Sequence, residues 1–154
     1  MRRLAGTVTV VTVDLGGERH GTTATAVTSL SMAPPSLIVC FNRDSRLHPL
    51  LSAADRFCVN LLHADDVEMS KLFSRPVSSE VRFAGTRWST PGQGAPQLAG
   101  AQSSIQCMKD GHVDYGSHTI FIGRVTSVTN RASVSPLVYC NGSYAVAAEL
   151  VGKD

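Results

Sequence analysis

The feature that most constrains the fold of this chain is a series of short apolar runs that follow one another in hairpin order. Residues 7–13 (TVTVVTV) are β-branched throughout and mostly alternate threonine with valine, the pattern of a half-buried strand. Gly16-Gly17 come next and predict a hairpin turn. Further strand-like runs occupy residues 36–41, 56–62, 104–108, 118–128 and 137–144, with turn dipeptides at Asp110-Gly111 and Asn141-Gly142.

The segments between these runs leave room for few helices. Residues 20–32 (HGTTATAVTSLSM) form one extended segment, which Pro34-Pro35 interrupt because proline cannot donate to a sheet ladder. Short helices are predicted over residues 47–54 and from Asp65-Glu68 to residue 75, and residues 78–100 are polar and loop-like. About seven strands and two short helices, without β-α-β alternation, predict an antiparallel barrel or sandwich, folded as a single domain over residues 1–154.

Composition excludes several classes of protein. The 14 Lys+Arg against 12 Asp+Glu give a net charge of only +2 without a basic run, which argues against nucleic-acid binding. No segment has the 18 apolar residues that a membrane-spanning helix needs, so we expect a protein that does not bind membranes. The four cysteines lack metal-ligand spacing and are predicted to be reduced thiols of a cytoplasmic protein that holds no metal.

Residues 21–29 (GTTATAVTS) are the first candidate binding segment. Their small side chains allow a flat aromatic ligand to lie against the backbone, and the hydroxyl and free N–H groups can bond ring carbonyls or phosphate. The alternative is an ordinary threonine-rich edge strand.

Residues 42–48 (NRDSRLH) are the second candidate. Ser45 and Arg46 stand just before a predicted helix, where free N–H groups and a guanidinium attract anions. The alternative is a helix capped by Asp44 or Ser45 beside a solvated arginine. The two candidate segments flank one short strand, and a site shared between them is therefore favoured.

The tripeptide Gly116-Ser117-His118 is the third candidate because it directly precedes a strand. A histidine there can face a pocket and stack on, or bond to, a nicotinamide. The alternative is a surface histidine without a role.

These segments together resemble the flavin reductase-like family of FMN-binding split barrels, the reductase components of two-component flavin monooxygenases. The resemblance extends over nearly the whole chain, and its order and spacing are specific. It is carried by GTTATAVTSLSMAPPSLIVCF, NRDSRLHPLL, RFCVNLL, RFAGTRW, GAPQLAGAQSSIQC, GSHTIFIGRV and PLVYCNGSY. The family implies a mainly β, Greek-key split barrel with two or three short helices, assembled as a homodimer with flavin at the subunit interface.

The resemblance also implies which residues hold the flavin, FMN or FAD. Ser45 and Arg46 are expected on the phosphate, and Ser74 and Arg82 over the flavin tail. The full set is Thr23, Ala24, Thr25, Ala26, Val27, Ser29, Phe41, Asn42, Arg43, Asp44, Ser45, Arg46, Leu47, His48, Ser74 and Arg82.

The nicotinamide nucleotide, NADH or NADPH, is expected to meet His118, as the catalytic residue, and the turn Asn141, Gly142, Ser143 and Tyr144. This chain has Ser117 where the family commonly has aspartate, which leaves His118 less firmly oriented.

The implied function is an NAD(P)H-dependent flavin reductase that passes hydride to FMN or FAD and supplies reduced flavin to a partner monooxygenase. A flavin-binding or electron-transfer protein without turnover, and a barrel that binds another small molecule, remain as alternatives. The related pyridoxamine-phosphate oxidase type would need further basic residues, and the chain offers no convincing set.

Overall fold

The computed structural model describes residues 2–149 of the chain. The helices are α1 (Leu47–Ala53), α2 (Val67–Ser74) and α3 (Ser79–Arg82), and a 3₁₀ turn (Ala64–Asp66) precedes α2. The strands are β1 (Gly6–Thr7), β2 (Thr9–Leu15), β3 (Glu18–Ala24), β4 (Val27–Met32), β5 (Pro35–Asn42), β6 (Arg56–Leu61), β7 (Trp88–Ser89), β8 (Gln97–Leu98), β9 (Ser103–Tyr115), β10 (His118–Asn130), β11 (Leu137–Cys140) and β12 (Ser143–Val146).

Seven antiparallel strands form the main sheet in the order β3-β2-β6-β9-β10-β5-β4. Its two edge strands, β3 and β4, are consecutive in sequence and separated by Thr25 and Ala26 alone. Three Cα–Cα steps span no more than about 11 Å, so the opposite edges of the sheet must meet at this link. The sheet therefore curls into a barrel, and no ladder joins β3 to β4 within residues 2–149. This confirms the predicted split β-barrel with short helices.

The side-chain alternation of β2 divides the core into two clusters. Val11 and Val13 face the barrel interior with Phe57 and Phe121, and α1 closes that cluster with Leu51. The residues that alternate with Val11 and Val13 along β2 face outward, because successive side chains of a strand point to opposite faces of the sheet. The outer cluster packs α2 and the segment 83–101 against the barrel, and it contains Val8, Val10, Leu62, Phe73, Phe83, Trp88, Leu98, Ala101 and Leu137.

Helix α2 is fixed to the edge strand β3 by threonine hydroxyls. Thr23 Oγ1 donates to Ser70 O at 2.8 Å, and Thr22 Oγ1 donates to Phe73 O at 3.4 Å. Phe73 O belongs to the last turn of α2, where carbonyls have no partner within the helix, and the bond from Thr22 supplies one. The outer sheet β1-β11-β12 lies beside them, where Tyr144 Oη is 2.9 Å from Ser70 Oγ.

Three sequence-based predictions of local structure were wrong. Residues 20–32 are two strands on opposite edges of the sheet, since the barrel closes between them. Asp110-Gly111 lie inside β9 at a bulge opposite Ile122/Gly123, and the turn is at Gly116-Ser117. The helical segment begins earlier than Asp65, with a reciprocal cap between His63 and Asp66.

The turns at Gly16-Gly17 and Asn141-Gly142 are confirmed. Both residues of each pair have positive φ, at 64° and 90° in the first and 52° and 84° in the second. Hairpins favour such turns because their twist matches that of the strands. Among residues 2–149, no helix is long and apolar enough to span a bilayer.

Candidate functional site

A cleft of about 530 Å³ opens between the edge strand β3, the start of α1 and the segment that joins α2 to α3. We call it the anion cleft. Its charged side chains are Arg46, Arg75 and Arg82, and none of the described residues that line it is acidic. The remaining lining residues are His20, Gly21, Thr22, Ser45, Leu47, Leu50, Ser74, Pro76, Val77, Ser78 and Ser79.

Arg82 ties two walls of this cleft together. Its Nη1 donates to Gly21 O at 2.9 Å on β3, and its Nη2 donates to Arg75 O at 2.6 Å after α2. Partial burial lowers the pKa of Arg82 from its ordinary value because it removes water from the guanidinium, and the nearby charge of Arg46 lowers it further. Two like charges are thus held close together with no carboxylate on the cleft wall to offset them.

Unpaired donors point to the same place. Within residues 2–149, three buried side-chain nitrogen or oxygen atoms lack a hydrogen-bond partner, and two of them, Ser45 Oγ and Arg82 Nε, belong to residues that line the anion cleft. Buried polar atoms are nearly always bonded, since an unmade bond costs about 1–3 kcal/mol. An anion with several acceptor oxygens, such as a phosphate group, fits this combination of charge and free donors.

The loop before α1 presents Ser45 and Arg46 to the cleft. Asn42 Oδ1 accepts from Asp44 N at 2.9 Å, and Ser45 N donates to Asn42 O at 3.0 Å, so the backbone turns sharply after β5. The side chain of Leu47 is buried in the barrel core and anchors the start of α1. Neither Asp44 nor Ser45 caps the helix, because no side chain bonds its first turn.

The anion cleft continues into two further clefts along β3. Ser74 also lines a cleft of about 300 Å³ with Thr23, Ala24 and Thr25. Thr25 and Tyr139 in turn line a third cleft of about 780 Å³, which reaches the turn Asn141-Gly142. Neighbouring clefts share lining residues and therefore adjoin one another; we call the three together the edge groove, and Arg46 and Arg82 lie at its basic end.

Two tyrosines border the middle of the edge groove. The rings of Tyr139 and Tyr144 meet edge to face with centroids 5.3 Å apart. Both side chains line the 300 Å³ cleft, and the hydrogen bond between the hydroxyls of Tyr144 and Ser70 holds the second ring against α2. An aromatic wall beside a strand of small residues can hold a flat ring system.

The structure divides the predicted segment 23–29 between different surfaces. Thr23, Ala24, Thr25 and Ala26 line the edge groove, although the Thr23 hydroxyl bonds α2 and is therefore not free for a ligand. Val27 and Ser29 lie beyond the β3–β4 link and line a separate apolar cleft of about 390 Å³.

The predicted segment 41–48 is divided in the same way. Ser45, Arg46 and Leu47 line the anion cleft together with Ser74 and Arg82. Phe41 is buried in the barrel core, and Asn42 and Asp44 are exposed in the turn.

Two other residues of this loop bind the β9–β10 hairpin instead of lining the cleft. Arg43 Nη2 donates to Gly116 O at 2.6 Å, and His48 Nε2 lies 2.8 Å from Thr119 Oγ1.

His118 lies at the exposed start of β10, opposite Asn42 on β5. Its Nδ1 is 2.9 Å from Ser117 Oγ, so the serine gives the ring a polar neighbour. His118 lines none of the described clefts, whereas Asn141, Gly142 and Tyr144 line the edge groove. Within one chain, the described contacts do not bring His118 to that turn.

Sequence reasoning missed several residues of the site. His20 and the segment 75–79 line the anion cleft, and Ser70 and Tyr139 line its continuation. The only sequence signal for the segment was the Arg75-Pro76 dipeptide, which ends α2 directly after the predicted Ser74.

The chain is similar to known flavin reductases over nearly its whole length. Residues 1–148 match the family described as "Flavin reductase like domain". The chain is 43% identical over 150 residues to the reductase component of the FADH(2)-dependent resorcinol hydroxylase of a Rhizobium species, covering 96% of this chain and 84% of that protein. It is 39% identical over 144 residues to the FMN reductase (NADH) RutF of Stutzerimonas stutzeri, covering 94% and 83%.

Solved structures resemble the fold over nearly its full length. The NADH:FAD oxidoreductase of Streptomyces globisporus, solved in complex with NAD and FAD fragments, has a TM-score of 0.88 at 31% identity and covers 95% of this chain and 87% of its own. The flavin reductase component of a bacterial two-component tryptophan halogenase has a TM-score of 0.89 at 30% identity, with 97% and 94% covered.

Proposed function

The chain belongs to the flavin reductase-like domain family and is an NAD(P)H-dependent flavin reductase, and from this premise we propose that its flavin lies in the edge groove with the phosphate in the anion cleft. The proposal rests above all on one observation: Ser45 Oγ and Arg82 Nε are buried donors without a partner in a cleft whose charged side chains are all arginines.

The side chains of the anion cleft suit an FMN phosphate or the diphosphate of FAD. Arg46 supplies a guanidinium whose planar fork matches two phosphate oxygens, and Ser45 supplies a hydroxyl donor. Arg82 already donates to Gly21 O and Arg75 O through its two Nη atoms, and its buried Nε–H has no partner among residues 2–149. A bound phosphate would satisfy these donors and relieve the repulsion between the two guanidiniums.

The rest of the edge groove suits a flat ring. Ala24, Thr25 and Ala26 present small side chains, and Tyr139 and Tyr144 line the same groove. When bound, the flavin supplies an acceptor for the hydride of a reduced nicotinamide. The protein's contribution is to hold both rings in contact and to exclude water, which needs rigid walls more than an acid or a base. The bonds from Thr22 and Thr23 to α2 supply that rigidity.

We further propose that the nicotinamide nucleotide enters beside the turn Asn141, Gly142, Ser143 and Tyr144, and that His118 contacts it. The 780 Å³ cleft at this turn adjoins Thr25 and Ala26, so a second ring can reach the first. NADH is the favoured donor, because RutF and the Streptomyces globisporus enzyme are both named for it.

His118 lies outside the groove of its own chain, and a homodimer would bring it to the groove of a partner. The apolar 390 Å³ cleft and the exposed Met32 on the edge strand β4, whose exposed fraction is 85%, support such an interface. Sedimentation velocity should give about twice the chain mass, and a monomer at micromolar concentration would contradict it.

Reduced flavin is proposed to pass to a partner monooxygenase, as the resorcinol hydroxylase reductase component suggests. We place the reaction in the cytoplasm, where nicotinamide nucleotides are available and where the four free cysteines would stay reduced.

Two measurements test the proposal. Steady-state oxidation of NADH and NADPH, with FMN, FAD and riboflavin in turn, defines the reaction; absence of turnover with every flavin would overturn it. The site is tested by the Arg46→Ala variant, for which we expect about tenfold weaker FMN binding and unchanged binding of riboflavin, which lacks the phosphate. Arg124→Ala is the matched control, since Arg124 pairs with Asp110 outside the groove. Equal FMN affinity in Arg46→Ala and wild type would remove the phosphate from the anion cleft.

A further inference from the structure

We propose that Asp114, acting through Thr119 and His48, positions the loop that carries Ser45 and Arg46, so that phosphate affinity depends on a carboxylate outside the anion cleft. Asp114, Thr119 and His48 are called the anchor chain below. The inference rests on the proposed function, because it assigns a role toward the same phosphate.

The anchor chain consists of two consecutive hydrogen bonds. Thr119 and Asp114 are directly opposite on β10 and β9, and Thr119 Oγ1 donates to Asp114 Oδ1 at 2.6 Å. The single hydroxyl proton of Thr119 is thereby used, so the 2.8 Å contact with His48 must be a bond donated by His48 Nε2–H. The carboxylate therefore fixes both the tautomer and the direction of the His48 ring.

Burial makes this chain costly to break. Thr119 is 1% exposed, and the His48 ring packs against the buried Phe121 with centroids 5.5 Å apart. If the threonine hydroxyl were lost, the half-buried His48 Nε2–H would have no acceptor in this position. The hydrogen bond from Thr119 lowers the pKa of the Asp114 carboxyl, and the nearby Arg43, His112 and His48 add to that effect, which agrees with a carboxylate that stays ionised.

The loop is held by the same hairpin at both ends. At its start, Arg43 N donates to Ser117 O at 2.9 Å and Arg43 Nη2 to Gly116 O at 2.6 Å. At its end, His48 is bonded to Thr119. Ser45 and Arg46 lie between these two attachments and are the residues of the loop with polar groups in the anion cleft. Release of one end of the loop would let Ser45 and Arg46 move away from Arg82, so that the three side chains would no longer be placed to bind one phosphate.

The test compares the affinities for FMN and riboflavin, measured by fluorescence quenching, in Thr119→Val and wild type. Valine keeps the shape of threonine and removes the hydroxyl. We expect FMN to bind about three- to tenfold more weakly in the variant, while riboflavin affinity stays the same, because a single hydrogen bond contributes about 0.5–1.5 kcal/mol. Thr119→Ser, which restores the hydroxyl, should recover FMN affinity. A purely structural role would weaken both ligands together.

Thr126→Val is the matched control, because Thr126 lies on the same strand and its hydroxyl bonds Gln106 O away from the loop. Should Thr119→Val fail to fold, Asp114→Ala decides the matter, since Asp114 is exposed and its loss frees the threonine hydroxyl to rotate. An unchanged ratio of FMN to riboflavin affinity in the variant that folds would overturn the inference. If Arg46→Ala also left that ratio unchanged, the proposed phosphate site itself would fail.

Discussion

The barrel wall and the anion cleft both withdraw polar groups from water, but they treat them in opposite ways. Asn60 on β6 is fully buried, and its Oδ1 accepts from Leu98 N and Ser104 Oγ, each at 2.9 Å. Its Nδ2 donates to Val10 O at 3.2 Å and Pro96 O at 3.3 Å. In the anion cleft, the buried donors of Ser45 and Arg82 have no partner among residues 2–149.

Polar groups with bonds inside the protein contribute to its stability, whereas buried donors without a partner are available to bind a ligand. Around Asn60, the bonds to Val10, Pro96 and Leu98 join elements that are distant in sequence, so the amide holds β2, β6 and the segment 95–98 together. At Ser45 and Arg82, the chain carries the cost of unmade bonds, which a ligand can recover on binding. A donor that the fold leaves unsatisfied on the wall of a cleft is therefore a better marker of a binding site than a polar group that is merely buried.

The largest effect is expected for the barrel wall around Asn60. Asn60→Ala should lower the free energy of unfolding by about 3 kcal/mol or more, because the variant leaves Leu98 N and Ser104 Oγ without their acceptor. Urea unfolding followed by circular dichroism measures the change. Asn130→Ala is the control, because Asn130 is exposed and accepts one bond from Ser103 Oγ, at 2.7 Å. Similar losses of unfolding free energy in both variants would contradict the structural role assigned to the buried Asn60.

Two buried thiols, those of Cys58 on β6 and Cys107 on β9, predict an alkaline limit to stability. Burial raises the pKa of Cys107 from 9.0 to about 12 and raises that of Cys58 as well. Above pH 9 the unfolded chain releases these protons while the folded chain keeps them. The contribution of these thiols to the free energy of unfolding is therefore fully present below pH 9. Above pH 9 the free energy of unfolding falls by about 1.4 kcal/mol per pH unit for each thiol.

Unfolding free energies at pH 7, 9 and 10.5 measure this slope. Cys107→Ala should show a shallower decline than wild type, and Cys140→Ala, which changes a half-buried thiol on β11, serves as control. Parallel declines in wild type and Cys107→Ala would contradict the assignment.

The smallest effect is expected for the anion cleft, at Ser45. Ser45→Ala removes a buried hydroxyl that has no partner, so the free protein should lose no stability and can gain up to about 1 kcal/mol. FMN affinity should nevertheless fall by about two- to tenfold, since one donor to the phosphate is gone. Thermal unfolding with and without FMN shows both effects. A clear destabilisation of the free Ser45→Ala protein would mean that this hydroxyl has a structural bond.

Local chemistry explains what the sequence could predict. The turns at Gly16-Gly17 and Asn141-Gly142 form where glycine and asparagine permit positive φ. Asp110-Gly111 has similar chemistry but lies inside β9, because pairing along the length of β10 outweighs the local preference. The break at Thr25-Ala26 has no local signal, since it is set by closure of the barrel.

The same distinction applies to the site. Ser45 and Arg46 were predictable from a polar loop before a helix, and the family resemblance supplied Ser74 and Arg82. The lining by Ser78 and Ser79 and the bond of Arg82 to Gly21 arise from the packing of α3 against β3, which no spacing in the sequence indicates. The placement of Val27 and Ser29 outside the edge groove likewise follows from the barrel corner.

The short Thr25-Ala26 link also bears on how the chain folds. The two strands it joins are neighbours in sequence, yet five other strands lie between them in the sheet order. No hairpin of β3 with β4 can therefore serve as a local nucleus. Pairing of β2 with β6 and of β5 with β10 must close long loops first, and we expect slow folding, on a timescale of about milliseconds to seconds, as for other barrels rich in non-local contacts.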